Sequence, residues 1–240
     1  MITGIVVALP DEISTLTKQK INKGECLFLT EKTLLAFSGA GPENATKASQ
    51  LLLKNGAERL ISWGCAGALR TNLKPGDLIL PQILHCESTQ QFSLTSPWFQ
   101  QTLEQLSQLN PNTGSLAESS SIVTKSADKK TLHKKTRAIA VDMESVAVAR
   151  TALQNKLPVL VIRSIADPVS MDLPNAVSYA LNKQGDVVLA KLLWFLLTHP
   201  AELPGLIKLG LHFNAAKNKL KLAAEHLDTI TGFDQNIASK

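Results

Sequence analysis

The strongest constraint on the fold is a set of short strand-length runs that are almost wholly apolar, Arg163 and Ser164 being the exceptions. Ile5 to Leu9 is one such run, broken at Pro10, and Val159 to Ala166 is another, ended by Asp167-Pro168. A strand exposed on one face alternates apolar and polar residues, whereas a strand apolar throughout is covered on both faces. The residue before a proline is pushed out of helical geometry, so the second run must stop as a strand at Asp167. Cys26 to Leu29 and Leu34 to Phe37 read as two further strands, joined by the polar turn at Glu31 and Lys32. Arg59 to Trp63 reads as a strand leading into the turn Gly64-Cys65-Ala66-Gly67. Leu78 to Leu80 and Ala138 to Val141 complete the strands expected from pattern.

Helical spacing alternates with these runs. Pro42 opens a helix carrying Ala45, Ala48, Leu51, Leu52 and Leu53, with Gly56 as its stop. Ser145 to Gln154 and Trp98 to Leu109 follow the same period, and a last core helix is expected from about Gln184 to Leu197. The polar stretch from Gln82 to Ser121 otherwise reads as loops around a site or a subunit contact. Strands alternating with helices imply a single α/β domain, with a largely parallel mixed central sheet flanked by helices. The chain divides into a catalytic domain over residues 1–198 and a C-terminal helical extension over 199–240.

Ligands of such sheets sit beyond the carboxyl ends of the strands. Four segments occupy that position: Asp11 and Glu12, Gly64 to Gly67, Asp142 to Glu144, and Asp167. Three of the four carry carboxylates. Gly39 and Gly41, just before a helix, fit an anion site at its N-terminus or plain turn geometry.

Composition limits the alternatives. Three cysteines without short spacing fit a reducing compartment, and the N-terminus lacks the basic region of a secretory signal, so a cytoplasmic protein is expected. The formal charge of +5 is concentrated towards the end of the chain, at Lys208, Lys217, Lys219 and Lys221. These accompany Leu203, Leu206, Ile207, Leu209, Phe213, Leu220, Leu222 and Leu227 at helical positions. Such a basic amphipathic helix fits either a peripheral contact with an anionic membrane or packing against the core or a neighbouring subunit. Basic residues interleaved with aromatics are missing, which argues against nucleic acid. The histidines lack metal-ligand spacing, so neither a metal nor a cofactor is expected.

Four motifs together resemble a known superfamily. Val141-Asp142-Met143-Glu144-Ser145-Val146-Ala147 is similar to the VEMEG/A signature of purine nucleoside phosphorylases and methylthioadenosine/S-adenosylhomocysteine nucleosidases. Arg163 to Asp167 is similar to their R-x-x-S-D strand end, Trp63 to Gly67 to their T-G-S-A-G turn, and Val6 to Glu12 to their first strand with its acidic cluster. Within that superfamily, the opening MITGIVVALP and the tail WFLLTHPAELPGLIKLG most resemble the hopanoid-associated phosphorylase group.

The resemblance implies cleavage of the N-glycosidic bond of a purine nucleoside. Asp167 would be the general acid at N7, and Glu12 would position or activate the nucleophile. Glu144 would hold the ribose hydroxyls, Met143 would pack on the sugar, and the backbone at Gly64, Ala66 and Gly67 would approach the substrate. Phosphorylases of the superfamily carry an arginine where this chain has Ser62, and Arg59 falls on the opposite strand face, which favours water over phosphate. The segment Thr124 to Asp128 lacks the aromatic residue that nucleosidases stack on adenine.

The subgroup resemblance implies adenosylhopane as the substrate, cleaved to adenine and ribosylhopane, with the tail docking on the bilayer. The alternative is a phosphorylase or nucleosidase acting on small nucleosides, with the tail as an oligomer contact. Homo-oligomers are common in the superfamily. A non-catalytic membrane adaptor is disfavoured, because Glu12, Glu144 and Asp167 are all retained.

Overall fold

The computed structural model describes residues 1–180 and 189–233. Its centre is a mixed sheet built outward from β1 (Thr3–Val7). A hairpin of β2 (Cys26–Thr30) and β3 (Thr33–Phe37) lies on one side, with β3 parallel to β1. On the other side β4 (Arg59–Ala68) runs parallel to β1 and also to β10 (Val159–Asp167). The short β5 (Leu78–Ile79) pairs antiparallel with β10. Every residue of β1, β3 and β10 is buried, the polar Thr3, Thr33, Arg163, Ser164 and Asp167 included, as strands covered on both faces require.

The far half of the sheet contains β6 (Ile83–His85), β7 (Gln91–Ser93), β8 (Leu116–Glu118) and β9 (Ala140–Asp142). It joins the near half where β9 pairs antiparallel with Gly67 and Ala68 of β4. The expected turn at Gly64 to Gly67 is therefore strand: β4 continues through it, because β10 and β9 satisfy its backbone. The stretch expected as loops likewise holds β6, β7 and β8. Their three-residue length is too short to establish a period in the sequence.

Helices cover both faces. α1 (Pro10–Ile13) is a single turn after β1, and α2 (Pro42–Lys54) and α5 (Ser145–Gln154) cover one face through Ala45, Leu52, Val146 and Ala152. The opposite face is covered by α3 (Pro97–Gln105), α8 (Leu203–Ala224) and α9 (Leu227–Thr231), through Trp98, Phe99, Leu220, Ala223 and Ile230. α3 is shorter than expected, its last turn passing into a 3-10 segment at Ser107–Leu109. α4 (Ser126–Thr136) was not anticipated from pattern, and it precedes β9.

Two helices depart from expectation. The last core helix was to run from about Gln184; residues 184–188 lie outside the described residues, and α7 (Leu189–Thr198) follows α6 (Asn175–Ala180). α7 is not a core helix, because Trp194 is 62% exposed and Leu197 78%. α8 does not present its bulkiest residues to one partner. Ala216, Leu220 and Ala223 are buried and the helix packs on β10, while Leu203, Ile207, Leu211 and Leu222 are exposed. Lys217 also pairs with Asp11 at 2.6 Å, tying α8 to α1. No helix of the described residues is long and apolar enough to cross a membrane.

Candidate active site

The site forms where β1, β4, β9 and β10 end. Pro10 starts α1 immediately after the first strand, and this turn points Glu12 back towards the sheet. Glu12 is buried, and each of its oxygens accepts a backbone N–H: Oε2 from Leu9 at 3.0 Å and Oε1 from Cys65 at 2.7 Å. Burial pushes its carboxyl up from the ordinary value, while Arg163 and the backbone donors pull it down.

Gly64 is required by this approach. A Cβ there would lie 2.4 Å from Arg163 Nη1 and 2.6 Å from Glu12 Oε1. The missing side chain is what lets an arginine and a glutamate meet over β4.

Arg163, absent from the expected site, is its electrostatic centre. Its Nε donates to Asp142 Oδ2 at 2.6 Å and to Ser145 Oγ at 3.2 Å, and Nη2 donates to Ser62 Oγ at 2.7 Å. Glu144 Oε2 lies 3.9 Å from Nη2. Burial works against the guanidinium charge, but Asp142, Glu144 and Glu12 outweigh it and hold Arg163 above its ordinary range. Asp142 is fixed from the other side by the Ser145 hydroxyl and backbone N–H. An arginine at the R of R-x-x-S-D was visible in the sequence. Its three carboxylate neighbours come from α1, β9 and the start of α5, and no linear pattern links them.

Glu144 stands just before the first turn of α5 without bonding that helix's amides, and its Oε1 accepts the Gly41 N–H at 2.8 Å. Burial and the adjacent Asp142 carboxylate raise it to about 7, against Arg163 and the Gly41 amide. Gly41, with φ 98°, thus presents its amide to a carboxylate of the protein itself. Half-buried Met143 approaches the same glycine, its Cε 4.0 Å from where a Cβ would be. Ala66 turns its methyl into the core under α2 and α5.

Asp167 ends β10. The register between β4 and β10 shifts between Ile165 and Asp167, so Asp167 pairs with Gly67. Such a bulge re-aims a side chain. A Cβ on Gly67 would stand 3.3 Å from both Asp167 carboxylate oxygens, so this glycine leaves the space beside that carboxyl group open.

Asp167 has a partner that sequence reading missed. Lys129 of α4 is buried, and its ammonium binds Asp167 Oδ2, the Met171 carbonyl at 3.0 Å and the Pro168 carbonyl at 3.3 Å. Burial raises the Asp167 carboxyl above its ordinary range, and Lys129 opposes that shift.

Ser62 is buried on the α5 side of β4 and occupied with Arg163 and, at 3.3 Å, Ser145. Arg59 faces the other layer, stacked over Trp98 and donating to Thr3 Oγ1, Phe233 O and Thr231 O. The expected opposition of the two side chains holds.

A mixed sheet with buried carboxylates and one arginine at its strand ends defines the class. The profile of the Phosphorylase superfamily matches residues 3–190, and the chain belongs to that superfamily of enzymes. Among its relatives, the 5'-methylthioadenosine/S-adenosylhomocysteine nucleosidase of Buchnera aphidicola is 30% identical, over 75% of this chain and 83% of its own. That of Staphylococcus epidermidis is 28% identical, over 68% and 85%. The same fold is seen in the Helicobacter pylori nucleosidase with butyl-thio-DADMe-Immucillin-A, at TM-score 0.70 and 18% identity, covering 96% of this chain and 97% of that one. The Helicobacter pylori futalosine hydrolase superposes equally well, at TM-score 0.70 and 18% identity, with coverage of 96% and 97%.

Proposed function

We propose that this enzyme hydrolyses the N-glycosidic bond of a small purine nucleoside of the methylthioadenosine or S-adenosylhomocysteine type. The observation that carries this reading is the division of the buried carboxylates into two groups. Glu12 and Glu144 share Arg163, whereas Asp167 stands apart with Lys129. Bond cleavage between a sugar and a base calls for this division: an acid on the leaving-group side, and a base with sugar ligands on the other.

Asp167 donates its proton to N7 as the bond to the anomeric carbon breaks and the bonding pair moves onto the base. Glu144 accepts hydrogen bonds from the ribose hydroxyls, and Met143 packs against the sugar. Glu12 removes a proton from the attacking water; its raised basicity suits that role, and its two backbone donors fix its direction. The backbone at Gly64, Ala66 and Gly67 borders the substrate. Water is favoured over phosphate because Ser62 replaces a phosphate-gripping arginine and is itself taken up by Arg163. Two of the relatives carry this named activity, which supports the same reading.

A second reading keeps the chemistry and changes the 5′ substituent to a hopane, with the enzyme peripheral on a membrane. Its support is the apolar surface carried by α7 and the first half of α8: Trp194, Leu197, Leu203, Ile207 and Leu211 are exposed beside exposed Lys191 and Lys208. Aromatic and aliphatic residues next to lysines suit an anionic bilayer. In this reading the elements before α7 carry the chemistry, and α7 with the first half of α8 adds membrane contact to the packing of α8 against β10.

The test is product analysis by mass spectrometry, with methylthioadenosine and adenosylhopane offered separately, each with and without phosphate. Phosphate-independent release of adenine from methylthioadenosine is the expected result. Release from adenosylhopane alone moves the assignment to the second reading. A ribose-1-phosphate product that appears only with phosphate overturns hydrolysis.

A further inference from the structure

Lys129 is the single buried lysine among the described residues, and its position explains why. A lysine ammonium has three N–H donors. Here they meet Asp167 Oδ2, Pro168 O and Met171 O. No donor is left over for a ligand, so Lys129 acts on the substrate only through Asp167. We propose that Lys129 is the positioning residue of the acid: it holds one carboxylate oxygen of Asp167 and stabilises the carboxylate formed when the proton leaves. The inference rests on the reading of Asp167 as the general acid.

The proton balance gives the reason. Before bond cleavage Asp167 carries the carboxyl proton. As the bond between the anomeric carbon and N9 breaks, its electron pair goes to the base and the Asp167 proton goes to N7. A carboxylate remains in a buried place, where an unpaired charge is costly. Lys129 keeps its three protons throughout and pairs with that new charge. Its interaction is strongest after proton transfer begins, so it lowers the barrier and does not merely tighten binding. A buried carboxyl without this partner would hold its proton too firmly to act as a good acid near neutral pH.

Three groups face Asp167 from the elements around it. Cys65 of β4 has its thiol pushed well above the ordinary range, by burial and then by Glu12, and stays neutral. His212 of α8 is held below its ordinary value by burial and by Lys208, against the pull of Asp167. Lys129 is therefore the cation that sets the behaviour of Asp167 at neutral pH.

The test follows methylthioadenosine turnover from about pH 5 to 9 in Lys129→Gln, Lys129→Arg and Asp167→Asn, with thermal melts as the check on folding. Activity that depends on a protonated Asp167 is lost as pH rises through its pKa. Losing the Lys129 charge should move that alkaline limb upward by about one unit or more, and lower kcat about 100-fold with little change in KM. Lys129→Arg should restore most of both. Should Lys129→Gln fail to fold, Lys129→Met keeps the packing of the stem and gives the same readout. An alkaline limb that stays in place, whatever the rate, overturns the inference while leaving the acid intact. Near-normal turnover in Asp167→Asn instead removes the acid reading on which it rests.

Discussion

Gly64 and Gly67 sit three residues apart on β4, yet alanine at the two positions should fail in different ways. At Gly64 the new methyl would lie 2.4 Å from Arg163 Nη1 and 2.6 Å from Glu12 Oε1, where ordinary contact begins at 3.4 Å. Both groups must retreat by about 1 Å. Glu12 cannot do so without stretching its bonds to the Leu9 and Cys65 amides, at 3.0 and 2.7 Å. A hydrogen bond to a charged group is worth about 1.5–3 kcal/mol, and overpacking costs about 1–3 kcal/mol. Partial loss of these bonds plus the strain comes to about 3–5 kcal/mol. For a chain of this size that lowers the melting temperature by about 10 °C. Turnover should fall about 100-fold or more, because Glu12 leaves its place. At Gly67 the methyl meets the Asp167 oxygens at 3.3 Å and Val141 Cγ1 at 3.5 Å, contacts that a few tenths of an ångström relieve. Gly67→Ala should cost about 1 kcal/mol or less and melt within about 3 °C of the parent, yet lose activity by crowding the acid. Differential scanning fluorimetry with single-turnover rates separates the two. Equal melting temperatures for the pair, or a Gly64→Ala protein with parental melting and turnover, would refute the steric reasoning.

Two further predictions concern the Arg163 network. Arg163→Met removes the cation that Asp142, Glu144 and Glu12 share, and breaking a buried pair from one side costs about 3–5 kcal/mol. Urea denaturation should show that loss at neutral pH and a smaller one at acid pH, where the stranded carboxylates take up protons; a loss independent of pH would count against it. Glu144 rises from 4.5 unfolded to about 7 in the fold, so the folded state binds the extra proton. Its contribution to stability is fully present below about pH 4.5 and is lost as pH rises through 7, to a limit of about 3 kcal/mol. Glu144→Gln should flatten that part of the curve of stability against pH, and an unchanged slope between about pH 5 and 8 would disprove the shift.

The sheet centre was legible because short apolar runs closed by proline are too brief for buried helices and fit strands covered on both faces. Val159 to Ala166 has nothing polar to expose except Arg163 and Ser164, and the proline after Asp167 marks the strand end. The positions of Glu12, Glu144 and Asp167 followed from the rule about strand ends. The path of β4 through Gly64 to Gly67 did not, because small residues signal a turn unless neighbouring strands are known to pair with them. The tail was legible as a helix that could pack on the core, but its buried face was not. Bulky Leu and Ile drew attention to one side of α8, whereas the face buried on β10 is Ala216, Leu220 and Ala223, at helical spacing of four and three. Small residues let a helix come close to a strand, and counting large apolar side chains overlooks them.

Lys129 shows where a linear reading ends. It lies in Ser126–Thr136, a helix with four lysines, and a lysine among lysines reads as a solvated face. Nothing nearby in the chain supplies its counter-charge. The acceptors are Asp167, Pro168 and Met171, about forty residues later, at the end of a strand that α4 reaches only in three dimensions. Thr124 to Asp128 offers no aromatic residue to stack on a base, and the buried cation lies one position beyond it. A buried charge is costly unless paired, so its presence beside the acid constrains mechanism more than an aromatic would. The aromatic would bear on which base is held; on the proposed reading the lysine bears on how the base is released.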